Sequence, residues 1–161
     1  MVLFLYFTHQ IKFKFMKKII LVIAVAIFAL SNANAQVDGS AIGLRFNYAG
    51  AEISYQHPLS QTNRIEADLG YNSWGLALTG VYHWVWDLSS VTDGLNWYAG
   101  GGLSTGIHSS YLGLGIVGQI GAEYNFSIPL QLSLDYRPGF YFLPGIHPQY
   151  DGICLSARYR F

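Results

Sequence analysis

From Ala41 to Phe161 apolar and polar side chains alternate with a period of two, in runs separated by glycine, proline, asparagine and serine. This alternation predicts strands over 41–49, 51–57, 63–72, 74–86, 95–105, 111–126, 130–142 and 150–161. Breaks fall at Ala49-Gly50, Pro58 to Thr62, Asn72-Ser73, Asp87 to Gly94, Thr105 to Ser110, Ser127 to Pro129 and Leu143 to Gln149. No run carries a helical period, and nothing repeats beyond the hairpin itself. An even number of consecutive strands joined by short connections predicts an all-β fold, an eight-stranded antiparallel up-and-down barrel.

Successive side chains of a strand point to opposite faces, so each strand yields two sets. One set is apolar and aromatic, including Ile42, Leu44, Phe46, Ile53, Leu69, Leu78, Trp84, Trp97, Leu114, Ile116, Leu134, Leu155 and Phe161. The opposite set holds Arg45, Glu52, Arg64, Glu66, Asp68, Glu123, Asp135, Arg137, Arg158 and Arg160, together with Gln119 and His83. An arginine facing hydrocarbon at a bilayer midplane costs ~2–4 kcal/mol, so five would cost about 10–20, comparable with the whole stability of a domain. Turning the charged set inward removes that cost and gives the arginines carboxylate partners, as buried charges require. A soluble barrel with the apolar set inside would have to fit Trp84, Trp86 and Trp97 into a narrow lumen. The alternation therefore predicts a transmembrane barrel, greasy outside and charged within.

Threaded with both ends on the periplasmic side, the outward aromatics fall into two bands. Tyr48, Tyr71, Trp74, Phe140 and Phe142 are expected near the outer rim, and Tyr55, Trp84, Trp86, Trp97, Tyr124, Phe126, Tyr159 and Phe161 near the periplasmic rim. Inward glycines such as Gly43, Gly70, Gly100, Gly102, Gly113, Gly115 and Gly139 are expected to make room for the long arginines.

Charge and processing signals sharpen the picture. All four lysines precede residue 19, and the apolar run Ile19 to Leu30 follows, then Ala33-Asn34-Ala35-Gln36. This is the layout of a secretory signal peptide with a small-x-small cleavage site; the run is too short for a transmembrane helix, which needs about 20 residues. Residues 1–35 are read as leader and cleaved signal, with translation starting at Met16, and 36–161 as a single barrel domain. That domain holds five arginines, no lysine and nine carboxylates, an excess of four negative charges. It has no basic patch for nucleic acid. Cys154, the one cysteine, has no intramolecular disulfide partner, and Gln36 after the cleavage site argues against lipid attachment there.

The chain resembles the small eight-stranded outer-membrane barrels of the OmpA/OmpX type. Its segments Ser54-Tyr55-Gln56-His57, Asn63-Arg64-Ile65-Glu66, Leu95-Asn96-Trp97-Tyr98-Ala99-Gly100 and Asp135-Tyr136-Arg137-Pro138 further resemble uncharacterised outer-membrane proteins of Bacteroidota. The resemblance implies residence in the outer membrane of a Gram-negative bacterium, in contact with its lipid and lipopolysaccharide. It also implies insertion by the barrel-assembly machinery, for which Tyr159 and Phe161 would form the C-terminal assembly signal. It implies no reaction, cofactor or obligate partner, and a monomer is expected.

The inward charges are the sharpest candidate site. They are expected to form a salt-bridged plug filling the lumen; a polar conduit, hence a very small porin-like channel, is the alternative. A second cluster is conceivable at the outer rim, where His108, Ser109, Ser110, His147 and Asp151 supply the residue types of a hydrolase triad. A lipid A-modifying acyl hydrolase or transferase would use such a set. No nucleophile elbow accompanies it, so the chain is not expected to be an enzyme. No His-x-His or Cys-x-x-Cys spacing supports a metal site. Gly100 to Gly106 is glycine-rich like a phosphate loop but has no lysine and no following helix. His57 is expected to be a turn residue and His83 a lumen hydrogen-bonder.

Overall fold

The computed structural model describes residues 39–48, 50–72, 75–108, 111–150 and 152–161, without the side chains of Asn72, His108 and Tyr111. The expected signal peptide, Trp74, Ser109, Ser110 and Asp151 lie outside the described residues. Among these residues there is no helix, and ten strands form one sheet: β1 Ala41–Asn47, β2 Gly50–Pro58, β3 Asn63–Asn72, β4 Gly75–Asp87, β5 Leu95–His108, β6 Tyr111–Asn125, β7 Leu130–Tyr136, β8 Gly139–Leu143, β9 His147–Gln149 and β10 Ile153–Arg160.

Each strand pairs antiparallel with its neighbours from β1 to β6. β6 then pairs with both β7 and β8, while β7 pairs with β10 and β10 with β1. The sheet closes. β7 and β8 are lower and upper parts of one stave, and β9 and β10 of the next, so the wall is an eight-staved antiparallel barrel. Closure is completed where Ser40 N–H donates to Phe161 O at 3.0 Å and Phe161 N–H returns to Ser40 O at 2.9 Å. The rim at that pair is called here the near rim, and the rim at the β8–β9 connection the far rim.

Two of the expected strands are interrupted. The segment 130–142 breaks at Arg137-Pro138, because proline has no N–H for the ladder. Main-chain groups at the break find other partners: Arg137 N–H donates to Gly152 O at 2.8 Å, and Gly118 N–H to Pro138 O at 3.0 Å. The segment 150–161 starts as β10 only at Ile153, and β9 falls inside what sequence alone reads as a connection. β5 also runs on to His108, beyond the expected Thr105.

The row of paired residues from Ala41 runs through Gln56, Glu66, Val81, Gly102 and Val117 to Gly139. In the other direction it runs through Arg160 to Pro129 on the same stave. The sheet thus closes with a stagger of about ten residues, and such a stagger tilts the staves by roughly 35–45° to the barrel axis.

The period-two pattern dictates which face is which. Outward residues of the apolar set are exposed or half-exposed along every stave, Trp84 at 50% and Leu134 at 58%, whereas Arg64 and Arg158 retain only 2% and 1%. Apart from Ala41, Val81, Val85, Tyr98, Val117 and Cys154, the buried side chains among the described residues are polar. This is a protein with its greasy side out.

Outward aromatics pair at both ends of the wall. Trp86 stacks on Trp97 with ring centroids 4.3 Å apart toward the near rim, where Tyr124 meets Phe126 edge-on at 4.7 Å and Tyr159 lies over Phe161 at 6.4 Å. Phe140 and Phe142 approach to 6.4 Å toward the far rim.

Inward glycines make room for lumen side chains at Gly70, Gly100 and Gly115, beside Glu52, His83 and Tyr141 and not an arginine, but serve another end at Gly43 and Gly102. A Cβ on Gly43 would lie 2.0 Å from Ala157 O, and one on Gly102 would lie 1.9 Å from Gly80 O. What fills those spaces is the backbone of the adjacent stave, brought close by the coiling of a narrow barrel, rather than arginine side chains.

Candidate functional site

The lumen charges come from six of the eight staves, with β4 and β5 adding neutral polar groups, because each inward position recurs at every second residue. From β1, Arg45 grips Asp135 of β7 with both ends of its guanidinium, Nη1 to Oδ2 at 2.7 Å and Nη2 to Oδ1 at 2.5 Å. It also lies 3.4 Å from Glu66 and 3.3 Å from Glu52. Tyr98 on β5 donates its hydroxyl to the same Asp135 at 2.9 Å. These groups form the middle of the plug.

Toward the near rim, Arg64 of β3 donates Nη1 to Glu123 Oε1 at 2.9 Å, with Nη2 2.6 Å from Oε2. Its Nε points at His83 Nδ1, 3.3 Å away, and its guanidinium carbon sits 4.8 Å from the centre of the Tyr98 ring. A guanidinium has no acceptor, so His83 Nδ1 is the acceptor and carries no hydrogen. Asn96 adds a donor to Glu123 at 3.3 Å.

Arg158 of β10 reaches across to Glu66, with Nη2 3.1 Å from Oε2, and also donates to Ser54 Oγ at 3.0 Å and Ser133 Oγ at 2.9 Å. Glu66 collects further donors, from Gln56 Nε2 at 2.5 Å and Gln119 Nε2 at 3.2 Å.

Toward the far rim, Arg137 bridges two staves on the opposite wall, with Nη1 2.5 Å from Asp68 Oδ2 and Nη2 2.7 and 2.5 Å from the two oxygens of Glu52. The break in the seventh stave places this residue. Above it Tyr141 of β8 donates to Ser104 Oγ at 3.1 Å, and a Cβ on Gly115 would come within 2.7 Å of the Tyr141 ring.

Nine of the ten residues expected in a lumen network are thereby joined by ion pairs. Arg160 is the exception. It sits at the near rim, where Nη2 donates to the backbone carbonyls of Phe126 at 2.7 Å and Ile128 at 3.4 Å, so it clasps a turn instead of a carboxylate. At the last residue of its stave the lumen has ended, and main-chain carbonyls of the β6–β7 turn are the nearest acceptors.

Sequence reading passed over the neutral members: Ser54, Gln56, Asn96, Tyr98 and Ser133 all contact the charges. Tyr98 was findable by parity alone, since its neighbours Trp97 and Ala99 belong to the outward set. The near-rim contact of His57 Nδ1 with Ser40 Oγ, 3.1 Å, was not foreseen either. His57 lies within β2, one residue before its end at Pro58, and is not a turn residue.

Of the outer-rim set, only His147 has a described side chain; its Nδ1 is 3.0 Å from Gly145 O, and its ring stacks on Tyr141 at 5.3 Å. Whether His108, Ser109, Ser110 and Asp151 approach it lies outside the described residues. Gly100 to Gly106 lies within β5, as strand glycines. In comparisons with known proteins, no family model, no curated protein and no solved structure matches the chain.

Proposed function

We propose that the protein is an integral barrel of a Gram-negative outer membrane, a monomer with a structural or surface-interaction role and an occluded lumen. The observation that carries this reading is the inverted polarity: a continuous apolar wall outside and guanidinium–carboxylate pairs inside. In water such a wall would drive aggregation. In a bilayer it is the solvated surface, and closure leaves no edge to aggregate or to face lipid unsatisfied. The two aromatic bands fit the two membrane interfaces. Outer-membrane lipid, lipopolysaccharide and the barrel-assembly machinery are the partners this assigns.

An occluded lumen is supported by the side chains of Arg45, Arg64, Arg158, Tyr98 and His83, which occupy successive levels of the interior and are almost wholly buried. A conducting path would require these pairs to part.

The test is reconstitution of the full chain, refolded from denaturant, into liposomes whose acyl chains carry bromine. Tryptophan emission should be strongly quenched, because Trp84 faces outward. Soluble protein with unquenched emission would overturn membrane residence. Unitary conductance steps in planar bilayers would overturn the occluded lumen without touching the membrane assignment.

A further inference from the structure

The barrel interior does not balance its charges. Among the described residues, four guanidiniums, Arg45, Arg64, Arg137 and Arg158, face five carboxylates, Glu52, Glu66, Asp68, Glu123 and Asp135, in a space closed to bulk water. Arg160 cannot make up the difference, because it is held by carbonyls at the near rim. His83 cannot either: with Nδ1 accepting from Arg64, the ring is neutral. An uncompensated charge in such an interior takes up a proton instead of remaining ionised.

The hydrogen bonds say where. Asp135 receives three donors, two from Arg45 and one from Tyr98. Glu52 takes Arg137 on both oxygens, and Glu123 has Arg64 against both. Glu66 is reached by Arg158, Arg45, Gln56 and Gln119. Asp68 differs. Its Oδ2 takes Arg137, but its buried Oδ1 has neither an N–H donor nor a guanidinium against it, whereas Glu123 Oε2, likewise without an aligned donor, has Arg64 Nη2 at 2.6 Å.

Around Asp68, Glu66 lies on its own strand, and Glu52 and Ser54 come from β2, Thr79 from β4, Arg45 from β1 and Arg137 from the β7–β8 junction. Ser54, its direct register partner, already accepts Arg158 Nε, which leaves a second lone pair on Oγ for a hydroxyl donor.

We infer that Asp68 is a proton-binding site: at neutral pH it is a carboxylic acid whose proton, on Oδ1, closes the charge balance of the lumen. The site lies below the far rim, behind Arg137 and Glu52, whose side chains keep 8% and 10% of their surface and form its route to solvent. The near-rim side is sealed by the Arg64–Glu123 pair, so the site has one door and is no through-path. The inference rests on the closed, charged lumen and holds whether or not the wall faces lipid.

Infrared spectroscopy of the full refolded chain at neutral pH tests it, with aspartate or glutamate side-chain carbonyls labelled with carbon-13 in separate samples. The expected result is a protonated-acid carbonyl band, above the carboxylate bands, that shifts with aspartate label only and is lost in Asp68→Asn. Asp68→Asn should also fold as well as the wild type, since an amide is the neutral isostere. No protonated-acid band, a band that shifts with glutamate label, or a band that survives Asp68→Asn would each overturn the proposal. Should Asp68→Asn fail to fold, Asp68→Glu keeps the carboxyl and the charge balance: the protonated-acid band should then shift with glutamate label, and a band that still shifts with aspartate label there would overturn the proposal.

Discussion

Arg45 shows at the scale of a residue why this interior is built from pairs. Its guanidinium is buried, and its two Nη atoms are spent on the two oxygens of Asp135. A charge taken out of water recovers its hydration only through such donors and acceptors, so removing one partner costs more than the pair contributes. Asp135→Asn keeps the shape and removes the charge, leaving Arg45 with the longer contacts to Glu66 and Glu52 and Tyr98 without an ionised acceptor. It should lower unfolding stability by about 3–5 kcal/mol in a urea titration of the detergent-folded barrel. Gln61→Ala, on the exposed near-rim turn, should stay within about 0.5 kcal/mol of the parent. Equal losses in the two variants would mean that the lumen is wet and its ion pairs are screened.

Glycines give a second residue-scale contrast, because two of them sit on opposite faces of the same wall. At Gly43 a methyl group would meet the backbone of β10 at 2.0 Å, across the β1–β10 pairing that closes the sheet; at Gly80, on β4, nothing lies within 4 Å. Gly43→Ala should therefore destabilise by about 1–3 kcal/mol through forced backbone movement. Gly80→Ala should be neutral or gain up to about 1 kcal/mol from the reduced freedom of the unfolded chain. The same urea titration reads both, and a Gly43→Ala barrel as stable as the Gly80→Ala one would deny the close approach of the two staves.

At the scale of elements, the staves are unequal. β5 and β6 pair over their whole length, from Leu95 opposite Tyr124 to His108 opposite Tyr111. The β8–β9 hairpin pairs with the wall through β6 alone, across a register shift at Leu114/Gly115, with the Tyr141–Ser104 hydrogen bond as a side-chain contact to β5, and is joined to the lower wall by the break at Arg137-Pro138. Local opening follows the number of ladder bonds and packed neighbours that must be given up. Amides of Phe140 to Leu143 should exchange with deuterium markedly faster than those of Gly115 to Ile120 on β6. Uniform protection would show that the hairpin opens only with the whole barrel.

Stave number and face were legible because period two is a local property: Leu44 and Arg45 are sorted by their places along one strand. The break in the seventh stave was half-legible, since Pro138 stands inside an otherwise regular run. What alternation cannot convey is who meets whom across the lumen. Arg137 finding Asp68 and Glu52 depends on the stagger of closure, and the turning of Arg160 toward Phe126 depends on where the lumen ends. Neither is written in any one strand. The uneven sharing of donors among the carboxylates, which singles out Asp68, likewise needs all staves in place.

For the whole molecule the decisive quantity is the depth dependence of a charge placed on the outer wall. A soluble barrel that happened to display apolar side chains would accept an arginine outside anywhere, at a cost within about 0.5 kcal/mol, because the new side chain stays in water. A barrel in a bilayer would resist it by ~2–4 kcal/mol at the midplane and by about 0–1 kcal/mol near an interface. Leu44 is exposed midway along β1, opposite Ile53 and Ala157, while Tyr159 is exposed near the Ser40–Phe161 rim. Their native partners are similar in kind, so the difference between the two substitutions isolates the surroundings of the wall. Leu44→Arg should cost at least about 1 kcal/mol more than Tyr159→Arg in liposomes, where denaturant titration of tryptophan emission follows folding. The gap should shrink when both are measured in short-chain detergent, whose apolar layer is thinner and more easily penetrated by water. Two equal costs in liposomes would mean that no hydrocarbon gradient exists along the wall, and the inverted polarity would then need another explanation than lipid.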